Sequence, residues 1–150
     1  MNKIIFSLFF CVIFIALSAS DISACTCDLL IGNKSLEKQV KEAYKKSSAV
    51  FIGEVIEVIK NPNVFFVEVR FKVEKTWNSE SENEITITTG RGNGDCGYKF
   101  EVGEKYLVYA YGDKNNLGTN ICRRTSFLSG NKDIELLNKI KKSKIKSSPK

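Results

Sequence analysis

Residues Ile22-Ser23-Ala24-Cys25-Thr26-Cys27 set two cysteines around one threonine, directly after a run of small residues. Small residues of this kind close a secretory signal peptide. Cleavage after Ala19, Ser20 or Ala24 is open, and aliphatic Ile22 at −3 with small Ala24 at −1 favours the cut after Ala24. Cys25 then becomes the first residue of the mature chain. Its α-amine, with a pKa near ~7.7–8, is partly neutral at physiological pH. Amine and carbonyl oxygen of one residue can together close a five-membered chelate on a metal ion. A zinc ion with an open coordination position accepts such an amine. Where that position holds a catalytic water, as in metallopeptidases, the amine displaces the nucleophile. Thr26, between the two cysteines, is expected to point outward toward any partner.

A chelating terminus has to be held still, and most termini fray. The chain has five cysteines, and Cys11 lies in the segment expected to leave with the signal. Cys25, Cys27, Cys96 and Cys122 remain. An even number in an exported chain reads as two disulfides. A Cys25–Cys27 bridge would be strained by its short loop. Two pairings stay open, and each closes loops of about 70 and 95 residues, contributing ~4 kcal/mol per bridge in the chain-entropy model. A terminus anchored twice needs no ordering on contact. The structural alternative is that the two cysteines only staple a loose end to the domain. Zinc bound by the cysteines themselves is disfavoured, because zinc ribbons use two close C-x-x-C pairs. A redox C-x-C site lacks the helix N-terminus that would activate a thiolate.

Other chemistry is thinly supported. There is no histidine, which removes the commonest general base and the Ser-His and Cys-His nucleophile schemes. No carboxylate pair stands out. Gly90-Arg91-Gly92-Asn93-Gly94 follows a strand pattern, but no helix and no Gly-Lys-Ser/Thr follow, so a phosphate site is not indicated. The formal net charge is +6, unchanged by loss of Lys3 and Asp21 with the signal. Much of it lies in Lys139, Lys141, Lys142, Lys144, Lys146 and Lys150. This basic end reads first as a solvated helix end, and functionally as a weak contact for an acidic polymer or membrane surface. It has no interleaved aromatics, so nucleic acid is not an expected partner.

The elements that would position the cysteines follow from periodicity. Residues 1–24 form the expected signal: Lys3, then the apolar run Ile4–Leu17, too short for the ~20 residues of a membrane span. The stretch also resembles a lipobox in which Cys25 would be acylated, although Asp21 argues against it. A secreted or periplasmic location follows. Asn33-Lys34-Ser35 is a glycosylation sequon. Ser35 opens a helix ending near Lys46, with Leu36, Val40 and Ala43 on one face. Strands are expected over Ser48–Ile59, Val64–Trp77, Glu84–Thr89, Lys105–Gly112 and Leu117–Cys122, with Gly53 marking a bulge. Gly90–Gly97 reads as a long flexible loop. Asp133–Lys142 is a closing helix striped by Ile134, Leu137 and Ile140. Five antiparallel strands with flanking helices imply a mainly β, five-stranded Greek-key barrel of OB-like form, stapled by two disulfides. The domain is expected over residues 25–142, followed by a basic tail at 143–150, and a monomer is expected.

Several stretches resemble the N-terminal, netrin-like domain of the tissue inhibitors of metalloproteinases. These are the Cys25-Thr26-Cys27 start, Ser48-Ala49-Val50-Phe51-Ile52-Gly53-Glu54-Val55, Cys96-Gly97-Tyr98, and Asn120-Ile121-Cys122 with the Arg123–Leu128 segment after it. The resemblance covers most of residues 25–140. It implies bridges Cys25–Cys96 and Cys27–Cys122. It implies that the Cys25 amine and carbonyl chelate the zinc of a target metallopeptidase. Thr26 would enter the adjoining specificity pocket, and Gly92, Asn93, Gly94 and Asp95 would line the second edge of the contact. No cofactor of the chain's own is implied. The family's third disulfide in this domain and its cysteine-rich second domain have no counterpart here. A netrin-like extracellular binding module without inhibitory action is the alternative.

Overall fold

The computed structural model describes residues 25, 27, 34–78, 82–92 and 94–147, the side chains of 144–147 excepted. The expected signal, Thr26, the sequon residue Asn33 and the loop residue Asn93 lie outside the described residues.

Helix α1 (Leu36–Lys45) starts where Ser35 caps it, its hydroxyl accepting the Lys38 amide at 3.4 Å. Val40 and Tyr44 are its buried residues and Ala43 is half-buried, while Leu36, expected on the same face, is 38% exposed. Strands follow as β1 (Ala49–Lys60), β2 (Phe66–Thr76), β3 (Glu84–Gly90), β4 (Lys105–Asp113), β5 (Asn116–Gly118) and β6 (Ser126–Phe127). Helix α2 (Asp133–Ser147) ends the order and runs five residues past the expected Lys142. The sheet closes in the order β1-β2-β3-β5-β4, with β4 returning to β1, and β6 adds two residues beside β4. This is a five-stranded closed barrel of OB-like form, as expected. One pairing differs from the all-antiparallel expectation: β3 and β5 run parallel, Thr88 opposite Gly118. The strand expected to reach Cys122 stops at Gly118. Thr119 still donates its amide to Thr88, but its hydroxyl turns to the Tyr109 carbonyl, and the chain leaves the ladder.

The apolar pattern divides into two layers. Phe51, Val55, Val69, Phe71, Ile87, Tyr106 and Val108 fill the barrel, joined at one end by Tyr98 and Phe100. The intervening positions Val50, Ile52, Leu107 and Tyr109 face outward and are buried under Val40, Tyr44 and Leu137 of the two helices. So β1 and β4 carry continuous buried runs, whereas β2 alternates, its outer face being open. Leu137 anchors α2 at 0% exposure, with Ile134 and Ile140 packed beside it. Gly53 sits at a register shift in the β1–β2 ladder, as its place in the strand implied. A Cβ there would come within 3.0 Å of Phe71 Cβ and 3.1 Å of the Lys72 carbonyl. A second shift leaves Ile56 without a partner on β2, bending the strand around the barrel.

Candidate functional site: the bridged corner

Cys25 is bonded to Cys96 and Cys27 to Cys122, with Cα atoms 5.4 and 5.1 Å apart. Of the two pairings open from spacing, this is the one the family resemblance implies. Cys96 lies in the β3–β4 loop and Cys122 in the turn after β5. They come together because the Cys96 carbonyl accepts the Ile121 amide at 2.9 Å. The Sγ atoms of Cys25, Cys96 and Cys122 consequently lie within 4.8 Å of one another, and the two bridges sit side by side. All three sulfurs are bridged, so the cluster presents no thiolate, the form in which cysteine binds metal. Cys25, Cys27 and Cys96 are each half-buried.

The β3–β4 loop, expected to be flexible, is organised around one carboxylate. Asp95 Oδ2 accepts the Arg91 amide, and Oδ1 accepts the amides of Gly92 and Gly97 at 2.8 and 3.1 Å. These donors, Arg91 foremost, hold the Asp95 carboxyl below its ordinary pKa. Cys96 next to it adopts φ +61°, a left-handed conformation unusual outside glycine. Gly97 is packed so closely on the Gly90 carbonyl and the Gly92 nitrogen that no side chain fits. Of the expected contact-loop residues, Asp95 therefore turns its side chain onto its own loop, while Gly94 stands open, with nothing within 4 Å of where a Cβ would be.

Arg91 extends this frame. Its Nη2 donates to the carbonyls of Asn61 and Pro62, at 2.8 and 3.3 Å, and to that of Val64. The β1–β2 turn is thereby tied to the loop that carries Cys96. Sequence reasoning missed this clamp. An arginine among glycines was visible, but carbonyl partners leave no mark in side-chain spacing.

Behind the corner lies a buried polar network that the sequence also concealed. Asp133, 4% exposed at the first turn of α2, accepts Arg124 Nε and Nη2, both at 2.8 Å, and the Tyr109 hydroxyl at 2.9 Å. Arg124 Nη1 reaches Gln39 of α1 at 3.0 Å. Burial first, and the Asp133 charge second, raise the Tyr109 pKa strongly, so this hydroxyl keeps its proton and donates it to Asp133. One arginine two residues after Cys122 thus joins both helices to β4. A cleft of about 690 Å³ opens beside it, lined by Cys122, Arg123, Arg124, Leu36, Tyr98 and Phe127 among others.

No family model matches the chain, and no curated protein matches it in sequence. The fold and the bridges define its class: a small OB-like barrel with two flanking helices, stabilised by two disulfides that converge at its N-terminal corner.

Proposed function

We propose that the chain is a secreted protein inhibitor of zinc metallopeptidases, acting through its mature N-terminus. The observation that carries this reading is the convergence of both bridges on Cys25 and Cys27. Stapling a loose end needs one bridge. Two side-by-side bridges on Cys25 and Cys27 restrain both of these residues against the barrel. That is the preorganisation a chelating terminus requires. The overall form, a compact disulfide-bonded barrel with helices, also resembles non-catalytic inhibitor-type domains.

In this reading cleavage after Ala24 frees the Cys25 α-amine. Amine and carbonyl oxygen of Cys25 chelate the zinc of the target and displace its water. Thr26 enters the neighbouring specificity pocket. The loop from Gly92 to Asp95 forms the second edge of the contact, with the open Gly94 at its surface and Asp95 serving as its internal frame.

The test compares the mature protein with a form carrying one alanine before Cys25, against a panel of zinc metallopeptidases. The expected outcome is inhibition by the native start and none by the extended one. Equal inhibition by both rules out chelation. A native form that inhibits nothing, yet binds extracellular partners, establishes the binding-module alternative.

A further inference from the structure

The β1–β2 turn at the same end of the barrel exposes an apolar group that no packing requires. Phe65 is 92% exposed, Phe66 42% and Ile59 41%. Phe65 is the most exposed large apolar residue among those described, and it stands on a turn that is held rather than loose. Asn61 Oδ1 accepts the Asn63 amide at 2.9 Å, and the Asn61 carbonyl accepts the Val64 amide at 3.3 Å. Pro62 has no amide to satisfy. The Arg91 guanidinium covers the carbonyls of Asn61, Pro62 and Val64. The turn therefore meets most of its backbone polar demand internally, which is the condition for backbone to enter a low-dielectric medium at small cost.

Charge around the tip points the same way. Lys60 and Arg91 flank the turn, together lining a small cleft with Asn61, Pro62 and Val67. Lys99 lies across the loop, its side chain 3.2 Å from where a Gly92 Cβ would stand. None of these three cations forms an ion pair among the described residues. Of the neighbouring acids, Asp95 is occupied by three amides of its own loop, and Glu68 lies two residues beyond Phe66 on β2.

We propose that the β1–β2 tip is a membrane-docking element, seating Phe65 in the interfacial layer of an anionic bilayer while Lys60, Arg91 and Lys99 face its head groups. A soluble polyanion would satisfy the cations but gain nothing from a protruding phenylalanine. A bilayer interface rewards both. This surface uses none of the lysines of the C-terminal end, and the proposal is independent of whether the N-terminus inhibits a peptidase.

The experiment is vesicle co-sedimentation of the purified protein with both disulfides formed, using phosphatidylcholine vesicles with and without phosphatidylserine. The expected result is binding that requires phosphatidylserine. F65S, at an exposed position that leaves the core intact, should weaken it roughly tenfold through lost apolar burial. K60Q and K99Q should each weaken it about fivefold. F65W supplies a positional readout, because the only native tryptophan, Trp77, is buried at 5% exposure. Its emission should shift to the blue when vesicles are added. Vesicle binding unchanged by F65S overturns the proposal and assigns the contact to another surface such as the basic end. Absence of vesicle binding, with or without retention on heparin, overturns it as well, and retention favours a polyanion.

Discussion

The carbonyl of Cys96 accepts the amide of Ile121, and this one backbone bond of 2.9 Å sets the two cysteine-bearing segments next to each other. Everything at the N-terminal corner depends on it, because Cys25 follows Cys96 and Cys27 follows Cys122. Removing the second bridge with C27S/C122S should lower unfolding free energy by about 3–4 kcal/mol, since with Cys25–Cys96 intact the covalent path from Cys27 to Cys122 runs through that bridge and spans about 28 residues. Denaturant titration measures this directly. The Cys25–Cys96 bridge should persist and be visible by mass under non-reducing conditions.

Asp133→Asn keeps the shape of the buried network but removes the charge that Arg124 and Tyr109 share. The expected loss is about 2–3 kcal/mol, because a half-buried guanidinium is left with a weaker acceptor. Tyr109→Phe alone should cost about 1 kcal/mol. The two substitutions together should cost less than their sum, which a double-mutant cycle resolves.

The Asp95 carboxyl titrates below its ordinary value in the folded chain. A depressed carboxylate pKa contributes stability above the unfolded value of ~3.9, and that contribution is lost as pH falls through the folded value. The amide resonances of Arg91, Gly92 and Gly97 should therefore shift together, with a midpoint below that of an ordinary aspartate. Asp95→Asn should abolish the transition. A midpoint at or above the ordinary value contradicts the frame described for this loop.

Two glycines of the same loop should respond differently to alanine. Gly97→Ala forces a Cβ onto the Gly90 carbonyl and Gly92 nitrogen, backbone atoms that cannot swing aside. A loss of about 1–3 kcal/mol is expected, and the shift should reach the neighbouring Cys96. Gly94→Ala has open space, and only its φ of +91° opposes the change, so about 1 kcal/mol is expected. Thermal melting of the two variants separates steric from conformational cost.

Much of the barrel was legible because strand patterning is local. The alternation through Phe66–Val73, the β-branched run of Val50–Val58 and the break at Gly53 each reflect one strand's own environment. Boundaries moved by one or two residues for the longer strands. The failures came where a distant group intervened. The strand toward Cys122 ended early because Thr119 finds Tyr109 and Cys122 finds Cys27. β6 was invisible, since two residues carry no periodicity, and β3 and β5 paired in parallel because the closed sheet leaves them adjacent.

By itself, the order of residues determined both helices and the four longer strands, and it set out a C-x-C pair with two later cysteines that form an even set once Cys11 is discounted. Spacing left two bridge pairings open, and it carried no trace of Arg91 on the Asn61–Val64 carbonyls or of Arg124 between two helices. Those were decided by tertiary structure alone. Carbonyls are present at every residue, and an ion pair between Arg124 and Asp133 looks, in one dimension, like any two surface charges nine positions apart. Only chain closure brings such groups within reach and excludes the water that would otherwise serve them equally well.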